Sequence, residues 1–480
     1  MALKSAWFRE HLQYKYIVLT NTSIASFMAL LDSNIVLISL PTIIRNLPDT
    51  PTADAIWIIM GYTLIIATVL LAIGRIADIY GRIRLYTIGF AVFTIGSGLC
   101  SVSINGISLV IFRLIQGIGG ALIFANATAI ITDTFPPTER GRALGINQVG
   151  GIAGSVIGLV AGGVLTSLLG WQSIFWINLP IGTFATVWAY TRLKELSVKT
   201  KGEKPDVIGM GLFGVGLTLF LLGLVFGSVA GWAAADVGLL VFGLILIGAF
   251  VFTETKIKMP MMDLTLFKIK EFSSGILSNL LASIARGAVS FVLVFYFQGV
   301  LLLDAFTAGV MLIPFSVAFV IFGPVSGYLS DRYGARSFAT GGMIISVIAF
   351  LWFSVLPLDT PYNLFVLPMI LTGIGGGMFV SPNIASIMNS VPVMRRGIAS
   401  GMSSTLVSTG MLLSLGIAFA IMASSMPQST LQAIFAGLPV TAGSINLGLF
   451  IDAMHKIFLF MAVLSATAAV ASFLRGSNSH

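Results

Sequence analysis

The chain is divided into long uninterrupted apolar runs, each about as long as a bilayer core is thick, separated by short islands that hold most of the charge. Of its 480 residues 57% are hydrophobic and only 9% are charged, with a mean hydropathy of +1.00. A soluble domain carries about 25% charged residues. Water cannot solvate such a surface, whereas a bilayer can, provided every backbone polar group is satisfied inside the spanning element. The runs extend over ~18 to 26 residues and are rich in Gly, Leu, Ile, Phe and Ala, as spanning helices require. A membrane β-barrel would instead show alternating segments of ~10 residues. The expectation is an all-α membrane protein.

Splitting at the charged and Gly/Pro-rich islands gives fourteen segments, near 17–41, 54–74, 85–103, 107–131, 143–169, 173–191, 207–229, 236–254, 272–302, 305–328, 337–357, 361–389, 397–424 and 452–474. Charged stretches at 192–206 and 255–271 set two of them apart. The expected organisation is a six-helix bundle over 1–192, a linker with two inserted transmembrane helices over 193–271, and a second six-helix bundle over 272–480. With a cytoplasmic N-terminus, the cytoplasmic loops and termini hold 22 of the 26 Lys and Arg, and the outer face only Arg45 and Lys456. That is a positive-inside pattern with both ends cytoplasmic. The net charge of +8 is thereby a topology signal and calls for no nucleic acid. The first apolar run is long enough to span and follows a charged leader, so no cleavable signal is expected. The single cysteine, Cys100, and three scattered histidines, His11, His455 and His480, point to no disulfide or metal cluster.

Two internal echoes divide the chain into halves. GRIADIYGRIR at 74–84 matches GYLSDRYGAR at 327–336, and ERGRALG at 139–145 matches RRGIASG at 395–401. Each copy sits at the same rank within its set of six segments, so two pseudo-symmetric bundles are expected.

Four motifs carry more than repetition. The loop after segment 2 has Gly74, Asp78, Gly81 and Arg82, and segment 4 has Leu109, Arg113, Gln116, Gly117 and Gly119. Segment 5 has Gly145, Gly154, Gly158, Gly162 and Gly163, and segment 1 has Leu31, Asp32, Leu40 and Pro41. Trp57, Tyr62 and the stretch WQSIFWINLPIG at 171–182 add to these. Together they resemble the fourteen-helix drug:proton antiporters of the major facilitator superfamily over nearly the whole chain. The chain departs from that pattern at Leu159, where the family usually has proline, at Ile79 and Ile83 in the loop motif, and at Asn34, Leu37 and Ser39 in segment 1. The resemblance implies export of small amphipathic, cationic or lipophilic compounds in exchange for protons by a functional monomer in the cell membrane. The proton gradient takes the place of a cofactor.

Physically, Asp32 and Arg113 are the informative charges, because an ionisable group inside an apolar span needs a function or a partner. Asp32 lies nine residues before Pro41, ~13 Å deep, and Arg113 six residues into segment 4, ~9 Å from the same face. An Asp32–Arg113 pair is therefore expected, either as a structural lock between two helices or as a proton-coupling site. The antiporter resemblance favours coupling: burial disfavours the carboxylate's charge, a neighbouring cation favours it, and an arriving substrate can tip the balance. Arg286 in segment 9 has no acidic residue inside its own half's segments apart from Asp452 at the very start of segment 14, and both a structural and a functional role stay open.

Gly74, Asp78, Gly81 and Arg82, with Gly327, Asp331, Gly334 and Arg336, are expected to gate at the cytoplasmic face through tight turns and charge networks. The glycines of segment 5 leave one face bare for a close neighbour, expected in the other half. Family position suggests Trp57, Tyr62, Gln116, Asn126, Asn147, Gln148, Gln298 and Asn383 as cavity-facing substrate contacts. Two alternatives remain: a lipid or amphiphile flippase on the same fold, and a non-transporting membrane sensor. An enzyme is not expected, since the chain has no nucleophile elbow, phosphate loop or metal-ligand spacing.

Overall fold

The computed structural model describes residues 2–47, 50–196, 206–257, 260, 262–358, 360–392, 395–438 and 447–475. Most of linker 192–206 and the tail at 476–480, with His480, lie outside the described residues, as do the side chains of His11, Asp78 and Asp331. The described chain contains helices and no strand.

The N-terminal set comprises α1 (Ala2–Asn46), α2 (Thr52–Tyr80), α3 (Arg82–Ser101), α4 (Gly106–Thr134), α5 (Pro137–Leu169), α6 (Ser173–Trp176) and α7 (Asn178–Arg192). The inserted pair is α8 (Val207–Ala230) and α9 (Ala234–Glu254). The C-terminal set runs α10 (Lys270–Arg286), α11 (Val289–Phe295), α12 (Ala305–Met311), α13 (Ile313–Tyr333), α14 (Ala335–Phe353), α15 (Tyr362–Asn389), α16 (Arg396–Ser425), α17 (Gln428–Ala436) and α18 (Gly448–Phe473).

Among the described residues, twelve helical stretches are long and apolar enough to cross a membrane, two fewer than the fourteen expected. The shortfall falls at two places. In α2, a helix of 29 residues, the apolar stretch among the residues with described side chains is Asp54–Leu70. The segment expected at 173–191 is split into α6 and α7, because Pro180 has no N–H to donate to the Trp176 carbonyl one turn back.

The repeat seen in the sequence has a backbone counterpart. Gly81 joins α2 to α3 at φ 106°, and Gly334 joins α13 to α14 at φ 90°, so each turn sits in a region that L side chains rarely adopt. Each glycine N–H caps the preceding helix, on the Ala77 and Ser330 carbonyls respectively.

Segment 9 is interrupted twice. After Arg286 the backbone bends at Gly287, which lies against Met411 of α16, and the Ala288 N–H is diverted to Ser414 Oγ at 2.9 Å. At Tyr296–Val300 one π turn inserts, closed by Leu301 N to Tyr296 O at 3.0 Å. α8 packs on α9 and also on α2 and α16, one helix from each set, while α9 leaves Val241, Phe242, Ile245 and Phe252 exposed as a lipid-facing helix must.

α1 and the 2–3 loop both meet the chain just after α7: Tyr14 Oη donates to the Lys194 carbonyl and the Ile83 N–H to Glu195 Oε2, each at 3.0 Å, while beside the matching turn after α13 the Arg336 guanidinium stacks over Phe473 at 4.0 Å. The two sets meet at the opposite end. There Gly163 lies against the Ala305–Phe306 backbone, Gly309 against Leu159, and Gln298 Nε2 donates to the Ile38 carbonyl at 2.7 Å.

Candidate functional site: a buried charge network between four helices

Asp32 is fully buried in α1 and accepts three hydrogen bonds. Arg113 Nη1 in α4 donates to its Oδ2 at 2.5 Å, while Gln116 Nε2 and Asn178 Nδ2 donate to Oδ1 at 2.8 and 2.9 Å. Arg113 and Gln116 are three residues apart on α4, hence on one face, and Gln116 Oε1 accepts from Arg113 Nη1 at 2.8 Å. The guanidinium is further held by Nε to the Ile58 carbonyl at 3.1 Å and by the Tyr62 ring at 4.4 Å, both from α2. Four helices thus converge on one ion pair.

A single Arg or Asp at the centre of a span costs about 2.5–3.5 kcal/mol. Pairing with extra hydrogen bonds on both partners is the arrangement that makes such burial tolerable. The pair and the donors it shares tie α1 to α4, α2 and α7 at this point of the bundle.

The expected pair is present, and the shell around it contains residues that the sequence did not single out. Asn178 lies within the 171–182 motif and opens α7; it also donates to Ser97 Oγ at 3.1 Å, and Ser97 in turn donates to the Phe175 carbonyl. Cys100 is fully buried, with Sγ 3.6 Å from Gln116 Oε1. Their signal in the sequence is an Asn two residues before a proline, which has no meaning until the chain turns at Gly170 and brings that position beneath α1.

The residues expected to contact substrate do not gather at one place. Tyr62 is buried with its ring against Arg113, Trp57 is buried with Nε1 unpartnered, and Asn126 is buried with Nδ2 on the Leu122 carbonyl of its own helix. Asn147 accepts from Ser26 Oγ at 3.0 Å, joining α5 to α1, while Gln148 is exposed. Gln298 bridges to Ile38 between the two sets. Asn383 donates to the Gly275 carbonyl at 3.2 Å and accepts from Ser278 and from Arg475. Arg475, counted among the cytoplasmic charges from sequence, is buried against these two residues.

The gating motifs are placed as follows. Arg82 Nη1 donates to both oxygens of Asp133 at 2.7 Å, tying α3 to the end of α4. Gly327 backs on Ser381 of α15, and Gly74 and Gly145 have open space where a side chain would be.

The α5 glycines correct one expectation: Gly150, Gly154, Gly158 and Gly162 face α1 in their own half. A Cβ on Gly158 would come within 2.7 Å of the Leu31 carbonyl. Only the neighbouring face, Gly163 with Leu159, meets the other set. The physical reason is the spacing of four, which keeps those four residues on one stripe, while Gly163 lies about 100° around the helix.

Arg286 ends α10. Its guanidinium lies over the Phe319 ring at 5.4 Å, Nη1 is buried without a hydrogen-bond acceptor, and no carboxylate among the described residues pairs with it. A cation–π contact returns about 0.5–2 kcal/mol, less than the 2.5–3.5 kcal/mol that an Arg costs there.

Residues 22–255 and 275–479 match the Major Facilitator Superfamily, and the chain belongs to that family. It is 32% identical over 408 residues to the riboflavin transporter RibZ of Clostridioides difficile (strain 630), covering 85% of this chain and 88% of that protein. It is 29% identical to the tetracenomycin C resistance and export protein of Streptomyces glaucescens, covering 84% and 75%. Among solved structures, a bacterial homologue of the human lysosomal transporter Spinster, inward-facing and unoccupied, superposes with a TM-score of 0.64 at 15% identity, covering 96% of this chain and 97% of that one. The protein is a multi-pass transporter of the cell membrane and not an enzyme.

Proposed function

We propose that the protein exports small amphipathic molecules in exchange for protons, by alternating access, with Asp32 as the coupling carboxylate and Arg113 as its counter-charge. The observation that carries this reading is the fully buried Asp32–Arg113 pair, the only ion pair among the described residues with both partners buried. Proton uptake at Asp32 and retention of Arg113's partner exclude each other, which is the competition that exchange requires. The resistance and export role of the Streptomyces relative supports the outward direction.

The same reading takes the chain as fourteen spans with both termini cytoplasmic, counting α2 and the broken α6–α7 as the two that complete the set. The end sealed by Gly163, Gly309 and Gln298 is then the outer face, and the 2–3 loop with its partner after α13 forms the cytoplasmic gate. Of the residues suggested as substrate contacts, Tyr62 and Gln116 stand at the Asp32–Arg113 pair and are taken as its substrate-facing neighbours in a functional monomer.

The test is transport in proteoliposomes under an imposed pH gradient, following an amphiphilic dye and the internal pH together. Gradient-driven dye movement with counter-movement of protons, both abolished by Asp32→Asn, is the expected result. Dye movement that ignores the gradient, or a mutant that behaves as wild type, refutes it.

A further inference from the structure

We propose that Arg286, seated on Phe319, is an anion subsite of the transport pathway, so that the substrates are amphiphiles bearing an acidic group; this rests on the transport reading above.

The argument begins with position. Asp32 lies fourteen residues before the end of α1 at Asn46, and Arg286 fourteen residues before the end of the π turn at Val300. The first segment of each half therefore carries one charge in its middle, fourteen positions from the same end of the segment. The two are handled in opposite ways. In the N-terminal half the charge is cancelled by Arg113 and shared with Gln116 and Asn178. In the C-terminal half the charge stands without a carboxylate partner among the described residues, and Nη1 has no acceptor. The membrane-embedded charges of the two segments and Arg113 thus sum to one positive charge, and that charge is Arg286.

The packing around it is built for an open guanidinium. Three helices frame it, α10, α13 and α15. A Cβ on Gly376 of α15 would come 3.1 Å from the Phe319 ring and 3.4 Å from Arg286 Nη1, so the bare backbone at Gly376 is what lets ring and guanidinium occupy the same level. The ring lies against the guanidinium at 5.4 Å, while its N–H donors lie in the guanidinium plane. Arg286 is half-buried as a residue and its Nη1 is buried with no acceptor, so at least one edge donor stands unpaired. Behind it Gly287 lies against Met411 and the Ala288 N–H is taken by Ser414, which pins the backbone at the point from which the side chain projects.

A planar guanidinium with an unpaired edge donor in a low-dielectric site is the group that matches a carboxylate, phosphate or sulfonate. An anion there also completes in the C-terminal half what Asp32 completes in the N-terminal half. A cationic substrate, which the antiporter resemblance favours, would meet repulsion from Arg286 and no countercharge, since Asp32 is already occupied.

The test is equilibrium binding to the purified full-length protein in detergent of dansyl-phenylalanine, an aromatic amphiphile with one carboxylate, and of its methyl ester. Wild type is expected to bind the acid roughly tenfold or more tightly than the ester, the range of one charge-assisted hydrogen-bonded contact. Arg286→Gln is expected to lose that preference while its ester affinity stays at the wild-type value, which also reports that the variant is folded. Arg286→Lys is expected to keep part of the preference. The proposal is overturned if wild type binds the acid no better than the ester, or if Arg286→Gln weakens both ligands alike. Binding needs no gradient, so the two readings fail separately: an acid preference without gradient-driven transport sinks the antiport reading alone, and gradient-driven transport without an acid preference sinks this one alone.

Discussion

Removing the charge of Asp32 leaves Arg113 buried in a span with its counter-charge gone. In Asp32→Asn an amide N–H₂ replaces one carboxylate oxygen and faces either Arg113 or both Gln116 and Asn178. Breaking a buried pair by removing one partner costs about 3–5 kcal/mol. Arg113 retains the Ile58 carbonyl, Gln116 Oε1 and the Tyr62 ring, which places the loss at the lower end, about 3 kcal/mol. Cys100 makes this measurable: it is the only cysteine, it is fully buried, and it touches Gln116, so a thiol reagent reaches it only when α3 and α4 part. At a factor of ten per 1.4 kcal/mol, opening-limited labelling of Cys100 should quicken roughly hundredfold in Asp32→Asn. Arg113→Met should do as much, since it strands the carboxylate. The double substitution removes both charges, and its labelling rate should fall back toward wild type while gradient-driven transport stays lost. A double variant that labels as fast as either single would refute the charge-imbalance reasoning. A double variant that still couples dye to protons would show that Asp32 is not the proton carrier.

Three further outcomes follow from the sealed end of the bundle. Gly163→Leu places side-chain atoms where the Phe306 Cα lies 2.5 Å from a Cβ, so it should disfavour the closed state; a cysteine introduced at Ser167, which lines the adjoining cavity of about 300 Å³ with Arg45, Gln298 and Asp304, should label faster. Gln298→Leu removes the donor to the Ile38 carbonyl, worth about 1 kcal/mol, and should shift the same labelling by roughly fivefold. Asp304 caps α12 through the Phe306 and Thr307 N–H groups, and its bond from Thr307 Oγ1, followed by those backbone bonds, holds its carboxyl below the usual carboxylate range. A lowered folded-state value means stabilisation that is complete above the unfolded value and lost as pH falls through the folded one. Thermal stability of wild type should therefore decline in acid below about pH 4 more steeply than that of Asp304→Ala, which should be lower by about 1 kcal/mol at neutral pH. Equal acid slopes would refute the cap's contribution.

Legible in the amino-acid sequence were the solvent of this protein, its helical content, its two-fold repetition and the plausibility of a contact between Asp32 and Arg113. Those follow from quantities that are local or additive: the length of an apolar run, the cost of a charge within it, the rise of a helix that brings two residues to one depth. Two glycines at matching ranks, Gly81 and Gly334, announced turns that the backbone indeed makes at positive φ. What lies around the pair was decided only by the tertiary structure. Asn178 reaches Asp32 across 146 positions because the chain breaks before Pro180, and nothing in its immediate neighbours points there. The stripe of glycines on α5 announced a close neighbour without saying which one. Packing gave the stripe to α1 and left Gly163 alone to meet α12, because a spacing of four fixes which residues share a face but not what that face meets. Arg286 illustrates the same division. Its lack of an acidic partner in its own segments was legible as composition, but its seat on Phe319, opposite the bare backbone of Gly376, exists only once three helices from distant parts of the chain are brought together.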